Sequence, residues 1–292
     1  MDTQHLSTFV AIAESGSFSV AAARLHLTQP AISKRIALLE QQLDKKLFDR
    51  YGKQTQLTPA GRALLPHARE ILQAVTDAGR ALADLDGDVS GPLSLATSHH
   101  IGLHRLPAVL SEFSRRFPRV HLDLHFLDSE KALAAVEQGE FELGVITLGG
   151  HASGRITQRP IWRDTLEFVC AKTHPLAQQG PLQLSDLCDY QAIAPDSNTH
   201  TTRLIQRLFE GNELTLNISM VTNHLDTIKM MVSIGLGWGV LPRSMIDAQL
   251  ATLNLQLPPL TRELGAVFDN RRSQSNAAQN FLAVLQSSTQ AD

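Results

Sequence analysis

Gln29, Ser33, Lys34 and Arg35 place an amide, a hydroxyl and two cations close together along one short segment. Wound as a helix at about 100° per residue, Ser33, Lys34, Ala37 and Gln41 fall on or near one side, with Gln29 and Arg35 on its flanks. The small residues let that side approach a flat surface closely. The polar ones can donate to or accept from base edges and phosphates. The chemistry is reversible hydrogen bonding to duplex DNA.

Such a face must be held by a rigid frame, and the neighbouring residues supply one. Thr28 is a good helix N-cap, and Pro30 falls in the first turn, where its missing N–H costs nothing. Ile32, Ile36, Leu39 and Leu43 recur at helical spacing and give the buried face. A shorter helix over about Phe18–Leu25, with Ser17 as its cap, carries alanine at positions 21–23 for a close crossing. Leu6, Phe9, Val10 and Ala13 supply a third amphipathic stripe. This is the build of a helix-turn-helix. An ordinary amphipathic hairpin would share the periodicity but not the charge. Residues 20–62 hold eight Lys or Arg against three Asp or Glu, whereas residues 63–292 hold eighteen against twenty-four. In a chain of net charge −3, positive charge is concentrated where phosphate would sit. Lys45, Lys46, Arg50 and Lys53 then precede Gln56-Leu57-Thr58, which suits a basic β-wing.

Thr28-Gln-Pro-Ala-Ile-Ser-Lys-Arg-Ile36, Leu38-Leu-Glu40, Leu47-Phe-Asp-Arg50 and Leu57-Thr-Pro-Ala-Gly61 together resemble the N-terminal domain of LysR-type transcriptional regulators. The resemblance is specific over about the first sixty-five residues and looser beyond. It implies a winged helix-turn-helix, a long linker helix and a two-lobed, periplasmic-binding-protein-like (type 2) α/β effector domain. It places Gln29, Pro30, Ser33, Lys34 and Arg35 on the groove-facing helix and Arg50 at the wing. The candidate DNA contacts are therefore Ser17, Thr28, Gln29, Pro30, Ser33, Lys34, Arg35, Arg50 and Lys53. The resemblance also implies a dimer of dimers, and leaves RNA polymerase open as a further partner.

From Thr58-Pro-Ala-Gly61 a helix can run to about Leu85. Leu65, Ala68, Leu72, Val75 and Leu82 follow heptad spacing, the seam of a coiled coil. The alternative is a helix packed on its own domain. A long helix between two domains has little of its own chain to lie against, so dimerisation is the expectation. A symmetric dimer would offer two groove-reading helices to an interrupted palindrome. The acidic run Asp84–Asp88, followed by Ser90, Gly91 and Pro92, reads as a hinge.

Beyond it the period changes. Strand-like runs at 92–96, 120–126 and 141–148 alternate with helical runs near 100–117 and 130–138, predicting an α/β unit with a mostly parallel sheet. A second unit begins at Leu166. Strands near 191–194, 216–221 and 235–242 alternate there with helices near 201–210 and 224–234. Two more strand-like runs and a helix near 276–286 close the chain. The predicted domains are 1–58 (DNA-binding), 59–88 (linker) and 89–292 (effector-binding); the resemblance implies that the tail returns to the first lobe, which puts lobe I at about 89–161 and 265–292 and lobe II at about 162–264. Ligands of such sheets settle at the carboxyl ends of strands, on helix N-termini. That nominates Thr97, Ser98, His99, His100, Asp128, Ser129, Thr147, Asn198, Thr199, Asn223 and His224, and favours a small anion such as a carboxylate. Simple helix capping is the competing account of each.

His100 and His104 share a helical face, but no carboxylate or cysteine stands at an obvious offset to complete a metal site, so no metal or other cofactor is expected. Cys170 sits in an apolar strand, and neither it nor Cys188 has the electropositive setting of a reactive thiol. No Gly-x-Ser-x-Gly, His-Glu-x-x-His or phosphate-cradling glycine loop occurs, which argues against an enzyme. The N-terminus lacks the features of a signal peptide, no apolar run is long enough to span a membrane, and cysteine is scarce. A cytoplasmic protein is the expectation.

Overall fold

The computed structural model of the chain describes residues 1–51, 54–83, 87–149 and 152–288. It divides into two compact units, 1–88 and 89–292. The first is built from α1 (Thr3–Ser15), α2 (Phe18–Arg24), α3 (Gln29–Leu43), a hairpin of β1 (Phe48–Tyr51) and β2 (Gln54–Leu57), and α4 (Pro59–Ala83). Asp2, Ser17 and Thr28 cap the first three helices by accepting backbone N–H bonds. Gly16 ends α1 in the left-handed conformation, which glycine adopts without strain. Leu6, Phe9, Ile12, Phe18, Ala21, Ile32, Ile36 and Leu39 close the core between α1, α2 and α3.

The Thr-Pro-Ala-Gly segment staples the wing to α4. Thr58 Oγ1 donates to the Lys46 carbonyl at 2.6 Å and accepts from Gly61 N at 3.0 Å. Gly61 lies so close to the strand that a Cβ there would stand 2.3 Å from the Leu47 oxygen. Glu40 completes the tie, its carboxylate accepting from Leu47 N at 2.9 Å and pairing with Lys46.

One residue of the predicted dimer seam needs correction. Ala68 is fully buried and committed to the core of this chain's own unit. Leu65 and Leu72 pack against that core but stay half-buried. Val75 and Leu82 stay exposed, at 54% and 69%, together with Ile71.

The second unit is a mixed α/β sheet of nine strands among the described residues. The order is β4 (Val120–Phe126), β3 (Gly91–Thr97), β5 (Leu143–Thr147), β11 (Leu260–Asp269), β6 (Ile156–Ala171), β9 (Trp238–Pro242), β7 (Ala192–Ala194), β8 (Ile218–Val221), with β10 (Leu250–Thr252) beside β6. β3, β4 and β5 are parallel, as are β7, β8 and β9, but β6 and β11 run antiparallel to their neighbours. β6 and β11 cross from one lobe to the other while bonded to each other. Trp162 and Leu264 belong to the lobe I core, Leu166 and Leu260 to that of lobe II. The crossing therefore lies at 163–165 and 261–263, a few residues from the boundaries expected. β6 also starts ten residues earlier than the apolar run at Leu166 suggests.

Lobe I carries α5 (His99–His104), α6 (Leu106–Arg116), α7 (Ser129–Glu137) and α10 (Asn276–Ser287); lobe II carries α8 (His200–Glu210) and α9 (Leu225–Ser233). The single helix expected over 100–117 is two, broken at Arg105, with Pro107 in the first turn of the second.

Candidate functional site

In the first unit, α3 turns Ile32, Ile36 and Leu39 inward and leaves Gln29, Pro30 and Lys34 exposed, with Ser33 half-buried. Thr28 and Ser17 are helix caps, accepting from Ala31 N and Val20 N. Arg35 is engaged elsewhere: its guanidinium donates to Gln4 Oε1 at 2.8 Å and to Thr8 Oγ1 at 3.4 Å, bracing α3 against α1. In this arrangement its guanidinium is turned toward α1 and the side chain is half-buried. Arg50 is on β1, and Lys53 lies outside the described residues.

In the second unit, most of the nominated residues line one cavity of about 60 Å³: Ser98, His99, His100, Asp128, Ser129, Thr147, Thr199 and Asn223. At roughly 30 Å³ per water in the liquid, that is room for about two water-sized groups. The starts of α5, α7, α8 and α9 all reach it. Their caps differ in a telling way. Thr199 caps α8 through its side chain, accepting from Thr202 N. Ser98, Asp128 and His224, the caps of α5, α7 and α9, make no side-chain cap bond. The first N–H groups of a helix have no intrahelical partner and carry the positive end of its dipole.

Three nominated residues fall elsewhere. Thr97 is fully buried, its hydroxyl donating to Val145 O at 2.8 Å within the sheet. Asn198 is exposed and shapes the loop before α8, its N–H donating to Asp196 Oδ1. His224 stands at the rim, its ring 4.5 Å edge-on from that of His99 across the lobes.

Leu127, Glu130, Pro195, His200, Thr201, Leu225 and Arg262 also line the cavity. Glu130 and His200 each follow a nominated cap within a residue or two, so extending the cap argument along the first turn would have found them. Arg262 carries no local signal. It lies opposite Asp164 in the β6–β11 ladder, and both are buried where the strands cross between lobes. Its Nε donates to Asp164 Oδ2 at 2.9 Å and its Nη1 to Thr201 Oγ1 of α8 at 2.7 Å. Arg105 adds a second cation 3.6 Å from Asp164. Burial pulls the Arg262 guanidinium below its ordinary value, the neighbouring Asp164 opposes this, and arginine remains charged.

His100 is 6% exposed, and neither ring nitrogen has a hydrogen-bond partner. Burial, then the cations Arg262 and Arg105 and the nearby His104, push its pKa down to about 3. The ring is therefore neutral at physiological pH. A buried imidazole with two unsatisfied nitrogens, facing a cavity, is a polar group lacking its complement.

Among the described residues, no group of three or more His, Cys, Asp or Glu is arranged to hold a metal. Burial pushes the Cys170 thiol up to about 11, and burial and then Asp189 raise that of Cys188. Neither is an activated thiolate. No described helix is long and apolar enough to cross a membrane.

Residues 3–62 match the family described as bacterial regulatory helix-turn-helix protein, lysR family, and residues 86–290 the LysR substrate binding domain. An uncharacterized HTH-type transcriptional regulator of Azotobacter vinelandii is 66% identical over 107 residues, 37% of this chain and 74% of that protein. A probable RuBisCO transcriptional regulator of Trichormus variabilis is 32% identical over 93% of this chain and 83% of its own length. The regulatory domain of CcmR from Synechocystis PCC6803, solved in complex with 2-PG, superposes with a TM-score of 0.62 at 20% identity, covering 68% of this chain and 98% of that one. With a matched effector domain spanning most of its length behind a matched helix-turn-helix, the chain belongs to the LysR family of transcriptional regulators.

Proposed function

We propose that this regulator reads DNA with the exposed face of α3, above all Gln29, Ser33 and Lys34, and is switched by a small anionic metabolite held between the lobes of its second unit. One observation carries the effector assignment. The starts of α7 and α9, with the shorter α5, converge on one cavity with no side chain capping them; α6 also starts without a side-chain cap, but it starts alone and away from that cavity. Unpaired N–H groups at the positive ends of helices complement a carboxylate or phosphate. A CcmR domain of the same fold is held with 2-PG, which is in keeping with an anionic group in such a cleft.

The protein acts in the cytoplasm, as binding and not as catalysis: the cavity holds no nucleophile paired with a base. It works as an oligomer, with the exposed Ile71, Val75 and Leu82 of α4 as one face of the contact. Ser98, His100, Thr147, Thr199 and Asn223 line the effector, and Thr97 and Asn198 support the walls.

Thermal denaturation against a panel of small carboxylates and 2-PG tests the effector assignment. A ligand at 100 times its Kd adds ~2.7 kcal/mol to the native state, which raises Tm by roughly 5–10 °C for a domain of this size. Anisotropy titration of duplex DNA at several salt concentrations tests the DNA face. Lys34→Ala should flatten the slope of log K against log salt by about one phosphate contact. An unchanged slope with reduced affinity would move Lys34 off the phosphate backbone. If no anion shifts the melting curve, the effector is of another class.

A further inference from the structure

Glu130 crosses the cleft. It belongs to the first turn of α7 in lobe I, yet its carboxylate Oε1 accepts from the backbone N–H of His200, the first residue of α8 in lobe II, at 2.8 Å. The eleven-residue α8 thus has its positive end filled from within the molecule, while α7 and α9 beside it do not. The His200 ring rests on Gly149 of lobe I, where a Cβ would stand 2.3 Å from the ring. The start of α8 is therefore gripped twice by the opposite lobe.

Resting on the reading of the cavity as an anion site, we propose that Glu130 is a built-in competitor for the effector: a tethered carboxylate that must leave α8 when an anion binds. The lining carries Asp128 and Glu130, and the guanidinium of Arg262 is already committed to Asp164. An anion entering this space meets carboxylates already there, and binding is favoured when one of them yields, because like charges in a partly dry site repel. Asp128 is held by Lys131 on its own helix at 3.1 Å. Asp164 is buried beneath Arg262. Asp128 and Glu130 are both part-exposed, and of the three only Glu130 is held across the cleft, by the His200 N–H at 2.8 Å with Arg203 no nearer than 3.9 Å, so its exchange is the one that alters a bond between the lobes. His100, more than nine-tenths buried on the same cavity wall, has no hydrogen-bond partner for either ring nitrogen, the nearest carboxylate being Asp164 at 3.8 Å, and independently marks the space as one that a polar ligand completes. Exchange of Glu130 for a free anion replaces a bond between the lobes by a bond through the effector. Occupancy is thereby linked to lobe geometry.

The test is a formate titration of the full-length protein, wild type against Glu130→Ala and the isosteric Glu130→Gln, followed by the His200 backbone amide in 1H–15N spectra. Formate should bind Glu130→Ala about tenfold more tightly than wild type, the change expected when a carboxylate stops competing for one charge-assisted hydrogen bond. Glu130→Gln should fall between them, and it keeps the comparison available should the alanine variant fold poorly. Equal affinities in wild type and variants would overturn the competition while leaving the anion site standing. Weaker binding in the variants would make Glu130 a ligand-supporting residue, also against the proposal. No formate binding to any of the three would remove the anion site itself, and the competition with it.

Discussion

At pH 5 a histidine in an unfolded chain is almost fully protonated, yet His100 in the native protein stays neutral because its pKa is held at about 3 instead of 6.5. Folding must then expel a proton. The unfolded state binds more protons than the native state between pH 6.5 and 3, so stability rises with pH across that window. The contribution is fully present above 6.5 and is lost as pH falls toward 3. Worked from those two values, His100 alone costs about 2 kcal/mol between pH 7.5 and 5. At about 2–4 °C per kcal/mol for a unit of this size, that is roughly 4–8 °C in Tm. His174 and His200 are also pushed down, by burial first in each case, and they titrate in wild type and variant alike. The informative quantity is therefore a difference. Calorimetric melts of wild type and His100→Gln at pH 7.5 and 5 should show the variant losing about 2 kcal/mol less on acidification. If both proteins lose the same stability, His100 is solvated or hydrogen-bonded in solution. The account of it as an unsatisfied cavity wall would then be wrong.

Three other perturbations follow from the packing. Arg262→Met leaves the buried Asp164 with only the more distant Arg105 at 3.6 Å and should cost about 2–4 kcal/mol in urea unfolding, much of it recovered in the double variant Arg262→Met/Asp164→Leu; a single variant as stable as wild type would show that the pair is not buried. Gly61→Ala forces a Cβ against the Leu47 carbonyl and should destabilise the first unit by about 1–3 kcal/mol, read by loss of helical circular dichroism on heating. Val75→Asp, on the exposed side of α4, should leave the melting curve of dilute protein unchanged within about 0.5 kcal/mol but lower the mass seen by light scattering; an unchanged mass would place the oligomer contact elsewhere.

The helix-turn-helix was legible because everything that specifies it is local. A cap, a proline in the first turn and an apolar stripe sit within a few residues of the groups they position. The cavity was half legible for the same reason: Ser98, Asp128, Thr199 and Asn223 are recognisable where a strand gives way to a helix. What could not be read is what depends on distant pairing. Arg262 and Asp164 are separated by most of lobe II, and each alone looks like a solvated charge in a strand. The first half of β6 was missed because it is charged and contains Pro160. Proline cannot donate to a ladder, and it is accommodated where the register shifts opposite Gly265, whose missing side chain lets the strands close. The apolar residues of α4 do recur at heptad spacing, but spacing alone does not say whether such a stripe faces a second chain or, as Ala68 does, its own core.

The paired crossing strands carry a mechanical consequence. Two strands that share a hydrogen-bonded ladder resist stretching and sliding but yield to twist, the one deformation that keeps every rung. Seen so, β6 and β11 have the geometry of a torsion flexure, twist being the deformation that costs their ladder least. Asp164 and Arg262 are register partners at its midpoint. On that geometry any change of twist is converted directly into a change in how a buried carboxylate and guanidinium face each other, so the flexure is at once the spring and the gauge that reads it.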